Sequence, residues 1–402
     1  MKLAAPGAPH LTYCTNIHPG ETWTEVRANL ERYVVPVRTL VAPGRRFGIG
    51  LRLSGAAAEA LAVPAALAEL QAFLAAHDLY VFTINGFPFG AFHGTRVKEQ
   101  VYAPDWLDDT RVAYTNRLAT LLAALVPTEV AYGSVSTVPG AFRARASSPA
   151  AEMEIADRLL QHVAHLIAIE ERTGRCIRTA LEPEPWCMLE TVADAIAFFH
   201  GHLYTLAAAE RVATLAGLPV AASGAAIRRH LGVCFDACHM AVEFEEPAAA
   251  LAQLAAAEIA VVKVQISAGM VAALGPDDAA IQDALASFAD DVYLHQVVER
   301  REGVLHRFVD LPQALATAAG DREPREWRVH FHVPLFREAL GVVRSTQPWV
   351  ATLLAALHRQ AYDGHLEIET YTWDVLPASF RGEPVERAVA RELDWVLERL
   401  ES

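Results

Sequence analysis

The chain has 402 residues, of which 53% are hydrophobic, and its formal net charge is −14 at pH 7. A chain of this length and apolarity can bury a substantial core, so extensive disorder is excluded as its overall state. The negative charge, without any run of Lys or Arg longer than a pair, argues against nucleic acid and anionic membranes as main partners. A phosphorylated small molecule is not excluded, because it needs only one or two local cations.

The cysteine content and the apolar runs predict the cellular compartment of the protein. The five cysteines are scattered and odd in number, which suits a reducing compartment better than a disulfide scaffold. The first residues lack the continuous apolar stretch of a signal peptide. Charges and glycines interrupt the longest Ala/Leu-rich runs, so no membrane span is predicted. We therefore expect a soluble cytoplasmic protein.

Short apolar runs alternate with long Ala/Leu-rich segments along the chain. The runs have the length and β-prone composition of buried strands, and the segments between them have the length of helices. The predicted strands are 11–18, 47–53, 79–85, 129–136, 177–184, 231–239, 259–266, 328–333 and 366–373. The predicted helices are 22–33, 56–76, 108–125, 149–173, one that ends at Gly217, 247–257 and 384–401.

The regular alternation predicts parallel strands joined by crossover helices. Roughly eight such units in a chain longer than about 250 residues point to a (β/α)₈ TIM barrel, with 1–402 as a single domain. A hairpin pattern over 291–309 disturbs the alternation after strand seven. We expect the insertion, 270–326, to cover the barrel mouth or to form a subunit contact. The second alternative would make the protein a homodimer.

A doubly wound open sheet is the alternative architecture. That fold usually carries a Gly-rich phosphate loop after its first strand. Here Gly48 and Gly50 lie inside a strand pattern instead of opening a helix. The sequence therefore favours the barrel.

Polar residues gather where the predicted strands end, which is where a TIM barrel places its active site. Carboxylates and imidazoles dominate the second half of this set, and they suit a divalent cation such as Mn²⁺, Co²⁺, Zn²⁺ or Mg²⁺. The candidates are Asn16, His18, Arg52, Asn85, His93, Ser134, Ser136, Glu182, Glu184, Asp236, His239, Lys263, Gln265, His330, His332, Glu367 and Glu369.

The acidic candidates each have a second interpretation. Asp236 and His239 either share a metal or substrate, or they are a helix-capping Asp and a packed His. Glu182 and Glu184 share one side of a strand, where they would repel unless a cation or proton separates them. Alternatively, the Pro-containing segment is already loop and Glu184 is solvated.

The basic candidates are ambiguous in the same way. His330 and His332 share one face of a strand, and they are either ligands or a solvent-facing pair. Lys263 in an apolar strand is either a substrate cation or the ion-pair partner of a strand-end carboxylate. His93 lies in a Gly/Phe/Pro loop and belongs either to a lid or to loop packing.

Longer motifs resemble known proteins. The segment from Asp236 to Met240 resembles the Asp-x-x-His segment of the xylose-isomerase-like (AP-endonuclease-2) TIM-barrel superfamily. More specifically, the chain resembles the EboE family of metabolite traffic proteins, which are sugar phosphate isomerase/epimerase-like. The matching motifs are LTYCTNIHPG (11–20), NGFPFGAFHG (85–94), VKEQVYAPDW (97–106), LEPEP (181–185), VHFHVP (329–334) and ETYTWDVLP (369–377).

The resemblance implies a metal held at the ends of the fifth to eighth strands. The carried-over carboxylates are Glu182, Asp236 and Glu369. The seventh strand usually supplies a His, but Gln265 stands there, which puts the four-ligand site in doubt. We expect an imidazole of the His330/His332 pair to take its place, with His332 as the ligand and His330, Gln265 and Glu184 as alternates.

The resemblance also implies an activity, a metal-dependent sugar (phosphate) or cyclitol isomerase or epimerase that supports secondary-metabolite production or traffic. The reaction would move a proton beside a carbonyl through an enediolate. Glu182 and Glu369 would be the acid/base pair, and His239 or Lys263 would hold a substrate oxygen. The expected substrate-binding residues are Asn16, His18, Arg52, Asn85 and His93.

Two other functions remain open on the same barrel. A metal-dependent hydrolase of the phosphodiester type would need two or three metals and more imidazole ligands. The His330/His332 pair favours this function. A non-catalytic metabolite-binding barrel would have lost a ligand at Gln265. About one tightly bound ion per chain suits the isomerase, two or three suit the hydrolase, and none suits the binding protein.

Overall fold

Two β-sheets organise the computed structural model, which describes residues 1–94, 96–276, 278–318 and 320–401. The strands are β1 (His10–Tyr13), β2 (Phe47–Arg52), β3 (Leu79–Asn85), β4 (Gly133–Thr137), β5 (Ile177–Leu181), β6 (Leu231–Asp236), β7 (Val261–Ile266), β8 (Ala268–Leu274), β9 (Val297–Arg301), β10 (Val304–Phe308), β11 (Arg325–Val333), β12 (Ala339–Leu340), β13 (Val343–Ser345) and β14 (His365–Ile368).

Helices follow most of the strands. They are α1 (Trp23–Asn29), α2 (Val35–Val41), α3 (Gly55–Leu61), α4 (Pro64–Ala76), α5 (Asp109–Leu125), α6 (Pro149–Thr173), α7 (Val192–Phe198), α8 (Leu206–Ala216), α9 (Val220–His230), α10 (Ala237–Val242), α11 (Pro247–Ala256), α12 (Ala279–Ala286), α13 (Leu311–Ala318), α14 (Gln347–Arg359) and α15 (Val385–Leu400). Short 3₁₀ turns lie at Thr15–Ile17, Lys98–Tyr102, Tyr371–Val375 and Ala378–Phe380, and π-helical turns at Leu30–Val34 and Phe199–Leu203.

The first sheet is a parallel barrel with the strand order β1-β14-β7-β6-β5-β4-β3-β2. Its two end strands meet where Cys14 forms a parallel bridge with Gly50. Across the same seam, the Thr12 hydroxyl donates to the Gly48 carbonyl at 2.7 Å and accepts from the Gly50 N–H at 3.1 Å. The predicted (β/α)₈ TIM barrel is therefore confirmed.

The second sheet is antiparallel and has the order β10-β9-β11-β8-β13-β12. It begins one residue after β7, because only Ser267 separates β7 from β8. The predicted hairpin after strand seven is β9 and β10, with its turn at Glu302 and Gly303. The sheet extends from β8 to β13, beyond both ends of the predicted 270–326 segment.

Several predicted boundaries were wrong, for local reasons. The strand predicted at 231–239 ends at Asp236, whose side chain caps α10 by accepting the His239 N–H at 3.0 Å. The helix predicted at 56–76 is broken between α3 and α4. Val63 is extended there (φ −69°, ψ 126°), as expected of the residue before Pro64.

Other ends agree with the sequence. Asp108 and Ser148 cap α5 and α6 through their side chains, and Pro149 occupies the first turn of α6. Gly174 ends α6 in the left-handed conformation at φ +69°. These caps are predictable because they depend on one residue and its own backbone.

No single helix in the described ranges is long and apolar enough to cross a membrane. Together, α3 and α4 reach the required length and hydropathy, but they meet at a 90° bend.

Gly50 in β2 is a position where a side chain has no room. A Cβ there would collide with the carboxylate of Glu367 and lie 2.7 Å from the Tyr13 carbonyl oxygen. We expect Gly50→Ala to destabilise the protein by about 1–3 kcal/mol, because the barrel seam cannot widen locally.

Gly224 in α9 is the matched control, because the nearest neighbour of an added Cβ would be Ala209 Cβ at 3.6 Å. Gly224→Ala should stabilise by up to about 1 kcal/mol. Urea unfolding of both variants checks this, and equal effects would contradict it.

Glu392 in α15 is a buried carboxyl that accepts the Leu335 N–H at 3.0 Å and the Thr370 hydroxyl at 2.7 Å. Burial raises the pKa of Glu392 from 4.5 to about 7. The folded state therefore binds the carboxyl proton of Glu392 more tightly than the unfolded state does. The stability that this proton contributes is lost as the pH rises between the two pKa values.

Glu392→Gln removes this dependence while keeping a carbonyl acceptor. We expect the free energy of unfolding of the variant, relative to that of wild type, to increase by about 2–3 kcal/mol between about pH 5 and about pH 8. Urea unfolding at the two pH values measures the difference. A constant difference between the proteins would show that Glu392 titrates normally.

Candidate metal centre and active-site pocket

Three buried carboxylates converge at the carboxyl ends of the barrel strands. Glu182 follows β5, Asp236 ends β6 and Glu369 follows β14. One oxygen from each lies within 4.8 Å of the others. Parallel barrel strands place their carboxyl ends around one opening, so residues distant in sequence meet there.

The carboxylates strongly affect one another's ionisation. Burial, followed by the charges of Glu369 and Asp236, raises the pKa of Glu182 well above its usual value. Burial, followed by the charges of Asp236 and Glu367, does the same to the pKa of Glu369. Groups this close cannot all be ionised unless a cation or proton lies among them. Within the described residues, Glu182 Oε2 and Asp236 Oδ2 are buried without a hydrogen-bond partner.

Two asparagines orient Glu369. Asn16 Nδ2 and Asn85 Nδ2 donate to Glu369 Oε1 at 2.7 and 2.8 Å. Asn85 is itself fixed, because its Oδ1 accepts the Phe87 N–H at 3.0 Å. Asn16 and Asn85, which were expected to bind substrate, therefore position a site carboxylate.

Three imidazoles lie beside the carboxylates with their Nδ1 atoms held by carbonyl oxygens. His239 Nδ1 lies 2.9 Å from the Pro183 carbonyl, and His332 Nδ1 lies 2.6 Å from the Glu369 carbonyl. A carbonyl oxygen only accepts, so Nδ1 carries the hydrogen. In a neutral ring the other nitrogen, Nε2, then bears a lone pair.

The third imidazole, His330, is held by a side-chain amide. Its Nδ1 lies 2.8 Å from Gln296 Oε1. The orientation of this amide follows from its other end, since Gln296 Nε2 donates to the Pro185 carbonyl at 3.2 Å and to the Tyr102 hydroxyl at 2.8 Å. His330 Nε2 therefore also bears a lone pair in the neutral ring.

The Nε2 atoms of His239 and His330 face each other at 3.2 Å. Two lone pairs at this separation repel unless a proton or cation lies between the rings. Burial, followed by the neighbouring His239 and His332, lowers the pKa of His330, which disfavours the proton. A cation therefore fits this arrangement better.

The donor set fits a divalent cation. Asp236 belongs to the carboxylate group and also to a group with His239 and His332, whose ligand atoms lie within 4.8 Å of one another. His332 Nε2 is buried without a partner among the described residues. Carboxylate oxygen with imidazole nitrogen suits the first-row divalent metals, and the Nδ1 contacts to carbonyls are those that orient metal-binding histidines.

Gln265 lies in β7 beside Asp236, where its register partner is that residue. Its Oε1 accepts from Cys234 Sγ at 3.2 Å, and its Nε2 is buried without a partner in the described part of the chain. The carbonyl of Gln265 thus already has a partner, whereas His239 and His332 are the imidazoles grouped with Asp236.

A pocket that is partly open to solvent adjoins this centre. Its carboxylate and imidazole lining residues are Glu182, Glu184, Glu369, His239 and His330. Its other lining residues are Asn16, Phe87, Pro88, Phe92, Lys98, Val101, Tyr102, Tyr293, Leu294 and Tyr371.

The outer wall of the pocket is an aromatic cluster from three parts of the chain. Phe92 comes from the loop after β3, Tyr293 from the segment before β9, and Tyr371 from the turn after β14. The ring centroids of each pair lie 5.1–5.2 Å apart. The Tyr293 hydroxyl donates to the Phe92 carbonyl at 3.0 Å, which ties the second sheet to the barrel loop.

Some predicted site residues lie away from the pocket. Lys263 is fully buried inside the barrel, where Nζ lies 2.6 Å from Glu367 Oε2. It is thus the ion-pair partner of a strand carboxylate, one of the two interpretations of the sequence. His18 stacks on Tyr33 with ring centroids 4.1 Å apart.

Arg52 and His93 lie behind the pocket wall. Arg52 pairs with Glu21 at 2.9 Å. The ring of His93 packs against Phe92, with centroids 5.0 Å apart, and its nitrogens have no hydrogen-bond partner among the described residues. Neither residue is part of the pocket lining.

Glu184 is buried, and its position was one of the open alternatives. Its Oε1 accepts from the Tyr102 hydroxyl at 2.6 Å and lies 3.6 Å from His330 Nδ1. Sequence reasoning missed Tyr102 and Gln296, which link Glu184 to His330. Tyr102 lies in the quoted 97–106 motif and could have been singled out there, whereas Gln296 carries no local signal.

No protein-family model matches the chain, and no curated protein does. Among solved structures, it resembles a xylose isomerase-like TIM-barrel protein from Mycobacterium smegmatis in complex with magnesium, at 14% identity and a TM-score of 0.53, covering 99% of this chain and 98% of that one. The protein therefore has the xylose isomerase-like TIM-barrel fold.

Two further solved structures resemble the chain with lower TM-scores. One is D-psicose 3-epimerase with D-tagatose from Clostridium cellulolyticum H10, at 14% identity, a TM-score of 0.49, and coverage of 98% of this chain and 100% of that one. The other is an IolI protein with a zinc atom, at 12% identity, a TM-score of 0.47, and coverage of 97% and 99%.

Proposed function

We propose that the protein is a metal-dependent isomerase or epimerase of sugars, sugar phosphates or cyclitols. The observation that carries the proposal is the convergence of Glu182, Asp236 and Glu369, of which Glu182 and Glu369 line a pocket. This arrangement offers a cation site together with two carboxyl groups that can exchange protons.

The proposed metal ligands are Glu182, Asp236, Glu369 and His332, with His330, Gln265 and Glu184 as alternates. A bound divalent ion would act as a Lewis acid and polarise a substrate carbonyl. The solved Mycobacterium smegmatis protein of the same fold is a magnesium complex, which agrees with an oxygen-rich ligand set.

Glu182 and Glu369 are the proposed acid/base pair. Burial, followed by the charges of neighbouring carboxylates, raises the pKa of both groups. One would remove a proton from the carbon beside the carbonyl, and the electron pair left behind would form an enediolate. Return of a proton to the neighbouring carbon gives isomerisation, and return to the opposite face of the same carbon gives epimerisation.

The remaining pocket residues would bind and enclose the substrate. His239 and Asn16 line the pocket and are proposed to hold substrate oxygens. Tyr293 and Leu294 precede β9 and also line it, which supports the proposal that the segment after β7 covers the barrel mouth. Membership of the EboE family and a supporting role in secondary-metabolite production are part of the proposal.

A metal-dependent hydrolase is the second candidate. His239 and His330 form, with Glu184, a second group of ligand atoms within 4.8 Å of one another. Such a group beside the carboxylates supports more than one metal, as phosphodiester hydrolysis would need. A non-catalytic binding barrel is favoured only by Gln265 at the ligand position.

Exchange of substrate hydrogen with solvent tests the isomerase proposal. Metal-loaded protein in D₂O should place deuterium on the carbon beside the carbonyl of a ketose or keto-inositol, as followed by proton NMR. Glu182→Gln and Glu369→Gln should each slow this exchange by about 10²-fold or more. Asp109→Asn, at the exposed start of α5, is a charge-matched control that should not change it.

Absence of exchange in every carbonyl sugar tested, with stoichiometric metal present, would contradict the proposal. Release of phosphate or alcohol from a phosphodiester by the same sample would favour the hydrolase instead.

A further inference from the structure

The pocket presents a hydrogen-bond acceptor to its ligand. Asn16 is 1% exposed, its Nδ2 donates to Glu369, and its Oδ1 is buried without a partner among the described residues. An unpaired buried acceptor is costly, so a well-fitting ligand must bring an O–H or N–H donor.

Apart from the proposed metal ion, the described lining of the pocket offers no free side-chain cation to an anionic ligand. Lys98 is the only Lys or Arg among the described residues of its lining. Its three donors are already used, because Nζ lies 2.7 Å from Asp310 Oδ2, 2.6 Å from the Tyr293 carbonyl and 3.1 Å from the Asp290 carbonyl. These bonds hold the covering segment in place, so Lys98 has a structural task there.

Two basic groups outside the lining are paired as well. Lys263 is bound to Glu367, and Arg52 is bound to Glu21. Three glutamates line the cavity, so a phosphate dianion would be buried beside carboxylates without a free side-chain cation as its partner.

The aromatic wall favours an apolar ligand surface. Phe92, Tyr293 and Tyr371 line the pocket together with the acidic residues. The C–H surface of a sugar or cyclitol can pack on such rings while one of its hydroxyls faces the acceptor.

We infer that the substrate is an uncharged polyhydroxy carbonyl compound of monosaccharide or cyclitol size, and that the pocket rejects its phosphorylated counterparts. This inference rests on the proposed function and narrows its substrate class. It follows from three independent features, namely the unpartnered acceptor, the occupied lysine and the aromatic wall.

Matched pairs of ligands test the inference. Binding to the metal-loaded protein is measured by calorimetry for D-glucitol and D-glucitol 6-phosphate, and for myo-inositol and myo-inositol 1-phosphate. Deuterium exchange is measured for D-fructose and D-fructose 6-phosphate. We expect the phosphorylated member of each pair to bind at least about 100-fold more weakly and to exchange correspondingly less.

The outcomes separate this inference from the proposed function. Neutral polyols that bind without any exchange in D-fructose would support the inference and count against the isomerase. Exchange in D-fructose 6-phosphate at or above the rate of D-fructose would overturn the inference and keep the isomerase. Failure of every neutral member to bind would also overturn it.

A gain of binding provides a second test that does not depend on loss of folding. Val101 is a half-buried lining residue, so Val101→Arg adds a cation to the wall. We expect this variant to tighten binding of the phosphorylated members at least tenfold, with Val101→Gln as the uncharged control. Equal affinities in the two variants would show that missing positive charge is not what excludes phosphate.

Discussion

Replacing Asp236 by Ala is expected to abolish binding of the divalent ion that we propose for the wild-type protein. Asp236 belongs to both the carboxylate group and the group with His239 and His332, so its loss breaks both. We expect metal affinity to fall by more than the ~10–100-fold that loss of a second-shell partner costs. Metal analysis of the purified proteins after dialysis, with Glu369→Ala alongside, measures the loss.

Asp236 has a structural task as well, so a matched variant is needed. Its Oδ1 accepts the His239 N–H at 3.0 Å and the Ser267 hydroxyl at 2.8 Å. Asn is as good a helix cap as Asp. Asp236→Asn should therefore keep α10 and the thermal stability of the metal-free protein but still lose the ion. Retention of stoichiometric metal by Asp236→Asn would contradict the assigned role.

A wild-type protein that stays metal-free even after divalent metal is added would lead to a different conclusion. Gln265 would then mark a site that no longer binds a cation. The isomerase and the hydrolase would both be abandoned in favour of a binding or transfer role.

The second large effect is expected from Lys263→Met, which leaves the Glu367 carboxylate buried without its cation. Both side chains are fully buried and 2.6 Å apart. Removing one partner of such a pair typically costs about 3–5 kcal/mol. Urea unfolding at neutral pH measures the loss, and a cost below about 1 kcal/mol would show that water reaches the pair.

The double variant Lys263→Met/Glu367→Leu separates the structural role from a catalytic one. Replacing both members with apolar residues is often neutral or stabilising by about 1–4 kcal/mol, so stability should return. If Lys263 only pairs with Glu367, the double variant should also regain most deuterium exchange. A stable but inactive double variant would instead support the sequence-based interpretation of Lys263 as a substrate cation.

The barrel and its carboxylates were predictable because the signals are local. An acidic residue ends β6 or directly follows β5 and β14, and parallel topology then brings Glu182, Asp236 and Glu369 together. The second sheet was largely missed. β8 has the sequence Ala-Gly-Met-Val-Ala-Ala-Leu, which lacks a strong strand pattern, and it is defined by its partners β11 and β13.

The directions of polar side chains were less predictable than their positions. His18 and Arg52 follow strands as Asn16 does, yet Tyr33 and Glu21 hold them outside the pocket. Those partners lie in the segment after β1, and no strand-end rule identifies them.

The contact between Asn16 and Glu369 joins residues 353 positions apart. Contacts of such long range form slowly, because the intervening chain must be ordered first. During synthesis Glu182 and Asp236 leave the ribosome well before Glu369, and β14 can complete the barrel only after the second sheet has been made. We therefore expect the three-carboxylate group of the proposed metal centre to be completed late in folding, when Glu369 joins Glu182 and Asp236.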